Sequence, residues 1–502
     1  MSGSVGSPGA IAFSRIPQGN LVPLFFVEFS SVNGGVNLNQ QPTLLIGQSA
    51  IAQSAVPVFI PSVSVARSLF GARSMLGRMC TTYLQQDNAG PLWALPVADA
   101  TGSVAATGTI TITGPATLPG AIPLYIAGQN IPVAVNIGDT ATIIAGNMVS
   151  AINAVLDLPV TATNAAGVVT ITAVHKGVQG NNIDIRTAYR GSQAGEVIPS
   201  GVTVAIVPMA NGATDPDMAF LATALADQAF DFIAHPYSGA TQLPEFTSLL
   251  NDATGRWAWN RQSYGHAFTM QPGTAASLMT TGLTINDQHQ TIIGVQASPS
   301  PPWDWAADWT GAVAVAIRAQ PARPLQTLSM KTALAPAQSS WWNYTSQQAL
   351  LSGGIAVPGF STYSLPTIVR SVTTYRLNSF GVADQSYLDC ETLFTLMAMT
   401  RQLKAAITTK YPRAILAPLG TPSGPGGVVI TPADIKAEII AQYNLMQQAG
   451  WVTSAAAMAA GTVVQINASN PTRCDVLWTP FPANGLRMVG VVNQFALNST
   501  AN

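Results

Sequence analysis

Between residues 201 and 319 the chain alternates between two hydrophobic periods, and this alternation restricts its fold more than any other feature. Strand-like segments at 202–207, 230–234, 266–270 and 292–297 are separated by helix-like segments at 217–225, 244–253, 274–281 and 306–319. Strand, helix and strand in repetition close as a mainly parallel sheet covered by helices on both faces, because parallel neighbours need a crossover long enough to hold a helix. One core does not fill 502 residues, so roughly two to four domains are expected. The fold class is therefore α/β and α+β multidomain.

The flanking segments divide the rest. Residues 101–199 change character: Thr109-Ile110-Thr111-Ile112-Thr113 alternates with a period of two, as do 124–126, 131–135 and 168–172. One amphipathic helix over 140–156 interrupts them, with Ile143, Ile144, Met148, Ile152 and Val155 on its apolar side. An inserted β-rich domain with its own core is expected there, splitting the α/β core into 41–100 and 200–385. In the first part, strands at 44–47 and 92–97 flank a helix over 64–84 that Gly71 and Gly77 weaken.

A strand over 367–375, a turn marked by Asn378, Gly381 and Asp384, and a helix over 387–409 follow; Ser386 can cap that helix and Pro412 stops it. It opens a C-terminal α+β domain, 386–485. Past a Pro/Gly-rich linker at 421–427, Thr431-Pro432 and Asp434 begin a second helix that Gly450 closes. Strands at 463–468 and 473–479 then pair across Ser469-Asn470-Pro471.

Both ends read as arms, 1–40 and 486–502. The first carries an isolated strand-like run at 21–29, with Val22, Leu24, Phe25, Phe26, Val27 and Phe29. The second carries Arg487, Met488, Val489, Val491, Val492 and Phe495 within 487–497. A lone strand leaves its backbone groups unpaired, so each needs a partner in the same chain or in a neighbour. Taken alone, the residues favour the same chain.

Charged residues make up 9% of the chain, against about 25% in an ordinary soluble domain. Two surfaces fit so few charges, one built for contact with other subunits and one of neutral Ser, Thr, Asn and Gln. Sixteen Arg against five Lys point to the first, since interfaces favour Arg. A net charge of -1 gives no basic face for direct nucleic-acid binding. Cys80, Cys390 and Cys474 are odd in number and far apart, as buried thiols are. Neither a secretion signal nor an apolar run of about 20 residues occurs, so no membrane insertion is expected and the product stays in the cytoplasm where it is made.

Catalytic chemistry finds little support. Asp231, His235, His266 and Ser277 lie in the α/β part, but Gly273-Thr274-Ala275 lacks a nucleophilic serine and no G-x-S-x-G elbow is near. His289 is solitary, and no HExxH or clustered Cys/His spacing marks a metal site. Gly424-Pro425-Gly426-Gly427 lacks the Gly-Lys-Ser/Thr ending of a phosphate loop. Trp303, Trp305, Trp309, Trp341 and Trp342 suit packing or subunit contact better than a carbohydrate platform. No catalytic, cofactor-binding or metal-ligating residue is assigned, and no enzyme activity is expected.

The pattern Thr373-Thr374-Tyr375, Asn378, Gly381, Asp384 and Ser386-Tyr387-Leu388-Asp389 resembles the tail sheath proteins of contractile-tailed bacteriophages, in their Mu-like branch. Val22-Pro23-Leu24-Phe25-Phe26-Val27-Glu28, Leu44-Leu45-Ile46-Gly47-Gln48, Leu92-Trp93, Gly265-His266-Ala267-Phe268-Thr269 and Pro321-Ala322-Arg323-Pro324-Leu325-Gln326-Thr327-Leu328 extend it along the chain in order. The resemblance implies a subtilisin-like core, an insertion that projects outward, and a family-motif core of Thr374, Tyr375, Asn378, Gly381, Asp384, Tyr387 and Asp389. It also implies a homo-oligomer of stacked six-subunit rings in a helical sheath, linked by strand exchange through both arms, which moves weight to a neighbour as their partner. Tail tube, baseplate and tail terminator proteins are the implied partners. The implied place is the tail of a virion, assembled in the host cytoplasm, where the sheath contracts to drive the tube through the envelope for DNA delivery. The helices over 387–409 and 432–448 are candidates to face the tube. The alternatives are a sheath of a phage-like bacteriocin or secretion device, and a multidomain hydrolase with a β-rich binding module.

Overall fold

An eight-stranded sheet forms the centre of the chain. In the computed structural model, which describes residues 41–361, 364–422 and 428–495, its strands lie in the order Ser364–Arg370, Ile355–Ser361, Gln290–Val295, His266–Pro272, Phe232–Ala234, Thr43–Gln48, Leu92–Val97, Val58–Phe59. The inner strands are all parallel and an antiparallel strand closes each end. Thr43–Gln48 and Gln290–Val295 are buried at every position, as strands covered on both faces must be.

Neighbouring residues on a strand face opposite ways, and the core divides accordingly. Ile293 joins the main apolar cluster, while Ile292 packs with Leu243, Leu278, Trp342, Leu350, Ile355 and Val357. Helices Gln242–Leu250, Ala275–Thr284 and Tyr344–Ser352 contribute to the second group. Met75–Gln86 and Pro302–Ala319 pack together, and both lie against the strand Thr43–Gln48. Trp303, Trp305 and Trp309 are buried in Pro302–Ala319, so these rings serve packing.

The helix expected over 64–84 is two, Val63–Phe70 and Met75–Gln86, broken at Gly71. Gly71 sits at φ 90°, where a side chain is strained.

The insertion holds two sheets. One has the order Thr203–Ala210, Ala105–Thr113, Val168–Lys176, Val160–Ala165; the other is Gln129–Val135, Gly120–Ile126, Ile185–Thr187, and helix Ala141–Ala154 packs against strands of both. Two expectations need correction here. The strand placed at 202–207 in the core pairs antiparallel with Ala105–Thr113, so the insertion runs to about residue 210 rather than 199. Its core is not separate either, because Ile110, Leu124, Ile144 and Ile171 belong to the same apolar cluster as Leu45 and Phe232. Arg78 ties the two parts, donating to the Asp157 carbonyl and to Asp304 Oδ2, both at 2.6 Å.

The C-terminal part has its own core of Met399, Ile430, Ile435, Ile439, Tyr443, Met446, Val452 and Met458. Helix Cys390–Lys410 joins it to the sheet: Phe394 stacks on Phe232 with centroids 4.8 Å apart, while Met399 lies in the second core. Helix Pro432–Gln448 starts where Thr431-Pro432 and Asp434 place it, with Thr431 and Asp434 forming a capping box, and Gly450 follows its end at φ 74°. The hairpin Val463–Ile466 and Cys474–Leu477 is antiparallel, as expected. Cys80 and Cys390 are buried thiols, Cys474 is partly exposed, and the linker glycines 424–427 lie outside the described residues.

Candidate assembly surface

The family-motif residues gather in one loop, 371–389, between the edge strand Ser364–Arg370 and helix Cys390–Lys410. The strand stops at Arg370, short of 375, because the next threonines bond elsewhere. Thr374 N donates to Gln290 O at 2.9 Å, and its hydroxyl donates to Asp287 O at 2.8 Å. Thr373 N reaches Leu388 O and its hydroxyl reaches Tyr387 O, at 2.8 and 2.7 Å. Asn378 Oδ1 accepts from Phe380 N and Val382 N at 3.0 and 3.1 Å, and Gly381 takes φ 74° at the tip.

Tyr375 donates to Asp384 Oδ2 at 2.6 Å and meets the Tyr387 ring edge-on at 5.3 Å. That bond pushes the Tyr375 hydroxyl up to about 12 and holds the Asp384 carboxyl below its usual range. Ser386 also spends its hydroxyl on Asp384, at 2.7 Å, so it does not cap the helix as expected. Asp389 occupies the N-cap without a side-chain cap bond; its carboxylate instead takes Arg370 Nε and Nη2 at 2.7 and 2.9 Å. The loop is bonded throughout, yet its tip presents Phe380 at 89% exposure.

The C-terminal segment passes beside this loop. Thr453 N donates to Phe481 O, and Ala483 N to Trp451 O, each at 2.9 Å. Arg487 then reaches Glu391 Oε1 at 2.9 Å and Asp389 Oδ1 at 3.2 Å. Residues 488–495 have no regular structure and no hydrogen bond to another described residue. Over 487–495, the described part of the strand expected at 487–497, no strand is formed with any other described residue. Met488, Val489, Val491, Val492 and Phe495 are exposed by 84, 71, 80, 85 and 78%. Among the described residues the hairpin Val463–Ile466 and Cys474–Leu477 has two strands, and Val463, Val476 and Leu477 on it are exposed. Val22, Leu24, Phe25, Phe26, Val27 and Phe29 of the N-terminal arm lie outside the described residues.

Residues 211–374 match the family described as phage tail sheath protein central domain. Over 493 residues the chain is 34% identical to the Mu-like prophage FluMu tail sheath protein of Haemophilus influenzae, covering 97% of this chain and 100% of that one. The chain belongs to the phage tail sheath family. A chain of the anti-feeding prophage baseplate, 6-fold symmetrised, shares the fold at a TM-score of 0.51 and 10% identity, over 99% of the sheath chain and 100% of its own. The sheath tail protein of Desulfitobacterium hafniense superposes at a TM-score of 0.48 and 13% identity, over 93% and 97%.

The residues weighed for nucleophilic catalysis are buried among apolar groups or bonded to other partners. His235 is fully buried, stacked on Phe246 at 3.6 Å, and burial pushes it down to about 3. Asp231 receives both terminal nitrogens of Arg401, His266 Nε2 lies 2.9 Å from Thr291 Oγ1, and the Ser277 hydroxyl donates to Thr274 O at 2.9 Å. Among the described residues no group of three or more His, Cys, Asp and Glu is placed to hold a metal ion, and no helix is long and apolar enough to cross a membrane.

Several of the arginines are used within the chain. Arg78, Arg318, Arg370, Arg401 and Arg487 pair with acids of the same chain, so at these positions Arg secures the fold. Arg370 and Glu391 escaped sequence analysis because the partners that give them meaning, Asp389 and Arg487, lie 19 and 96 residues away.

Proposed function

We propose that this sheath subunit polymerises around a tail tube and that the polymer shortens to drive the tube through a host envelope for DNA delivery. Copies are linked by the exposed segment that follows Arg487, residues 488–495, which adds a strand to a neighbour's C-terminal hairpin. The exposed, unpaired apolar segment carries this proposal. Strand alternation puts Val489, Val491 and Phe495 on one face and Met488 and Val492 on the other, so an added strand brings an apolar face to the exposed apolar side chains of the hairpin. Backbone pairing supplies affinity and the side chains set register.

The N-terminal run 21–29 donates to a second neighbour in the same manner, giving a mesh of stacked six-subunit rings. The core sheet, taken as the subtilisin-like body of the family, turns as a unit while the arms keep copies joined. Energy stored in the extended lattice drives shortening as sparse contacts give way to larger ones. Tail tube, baseplate and tail terminator proteins are the partners, and the assembly forms in the host cytoplasm. The likeness to the anti-feeding prophage baseplate chain fits equally a sheath of a phage-derived device.

Electron microscopy of the recombinant chain tests the proposal. The full chain is expected to form long hollow tubes, and a chain lacking residues 488–502 is expected to stay folded and unpolymerised. Tubes of normal length from the shortened chain overturn strand donation.

A further inference from the structure

Arg487 is the last residue that the body holds before the exposed segment, and charge holds it. Its Nη2 lies 2.9 Å from Glu391 Oε1 and 3.2 Å from Asp389 Oδ1. Glu391, in the first turn of Cys390–Lys410, has a side chain only 5% exposed and also accepts Leu325 N at 2.9 Å. Asp389 is shared with Arg370. A cavity of about 230 Å³ adjoins this cluster, lined by Arg370, Asp389, Glu391, Asn484 and Arg487 among others. Upstream of Arg487, the last backbone bond is that of Ala483 to Trp451; among the described residues only Gln326 Nε2 bonds the main chain between them, at Leu486 O, 3.2 Å, while the Pro324 ring packs against Gly485.

We propose that Arg487 is a latch that gives the C-terminal tether two lengths. Docked on Glu391 and Asp389, the free segment begins at residue 488. Undocked, it begins at 484, and four more extended residues add about 13 Å of reach. This rests on the strand-donation proposal, and it supplies what a lattice that changes spacing needs: a link that lengthens without breaking its paired strand.

Protons act on the same latch. Burial raises the Glu391 carboxyl above its usual range, and nearby Arg487 opposes that rise. A proton and Arg487 therefore compete for one carboxylate, and each weakens the hold of the other. The other groups facing it are Asp389, Arg370 and the Cys390 thiol, which burial keeps neutral. Acid accordingly favours the long tether.

The test uses the full chain with Cys474→Ser and a nitroxide on Leu486→Cys, a position 70% exposed. Below its polymerising concentration the label is expected to be restrained at neutral pH and freed on acidification. Arg487→Gln is expected to free it at every pH, and Glu391→Gln to remove the pH response. A label equally restrained in Arg487→Gln overturns the latch, whatever the 488–502 deletion shows. Tubes from that deletion overturn strand donation while the label still reports on docking. Should Glu391→Gln disturb the helix, the Arg487→Gln label decides alone.

Discussion

Val491→Asn separates a segment that links copies from one that idles in solvent. Val491 is 80% exposed in the free chain, so nearly its whole side chain passes from water into the neighbour's sheet when the strand is added. Burying a valine contributes about 1.5–3 kcal/mol, and asparagine forfeits that contribution. Each subunit donates one such strand, so the loss appears once per subunit added and raises the critical concentration by about 10- to 140-fold at 1.4 kcal/mol per factor of ten. The body itself loses no contact, and its denaturant midpoint is expected to stay within about 0.5 kcal/mol of the parent. Val492→Asn, on the face that lacks Phe495, is expected to cost less. Pelleting across a concentration series gives the first quantity and urea unfolding of dilute protein the second. An unchanged critical concentration refutes burial in the lattice. A lowered midpoint shows that the segment packs on its own body.

Three further expectations follow from the body. Phe394→Ala removes a buried ring stacked on Phe232 and Phe268, and urea unfolding is expected to show a loss of about 3–5 kcal/mol. Asp384→Asn removes the carboxylate that holds the Tyr375 proton, so ultraviolet titration is expected to show one tyrosine moving down from about 12 toward 10. His235 stays neutral when folded, to about 3, against 6.5 in the open chain, so the unfolded state binds a proton that the folded state refuses. Its stabilising effect is complete above 6.5 and declines as pH falls toward 3, by about 1.4 kcal/mol per unit. Burial of His266 adds a second such group; His235→Phe is expected to remove about half the slope rather than all of it.

What the sequence disclosed was decided by how local the cause was. Thr431, Pro432 and Asp434 sit within one helical turn, so the start of that helix is legible in the sequence, and Thr431 caps it with proline at its first position. Ser386 failed as a cap for the opposite reason: Asp384, two residues earlier, claims its hydroxyl, and the N-cap passes to Asp389. Strand Thr203–Ala210 has the composition of a core strand, but Ala105–Thr113 takes it into the insertion, and pairing partners that far apart leave no periodic trace. Ile355–Ser361 hid behind Pro358-Gly359, a pair that argues against a strand and that the ladder accommodates by slipping register on both sides. The terminal segment reverses the usual order. Its β-branched, apolar composition announces a strand, the described residues of the chain give it no partner, and that conflict between local preference and intramolecular structure is what directs attention to a second copy. The same reasoning places Arg487 apart from its neighbours, since among the described residues of the expected strand it alone pairs with side chains of its own chain. A donor segment that leaves the body at a fixed Arg487 and exposes residues 488–495 has a defined point of exit, and the position of that point governs how far the next copy can move before the link is stretched.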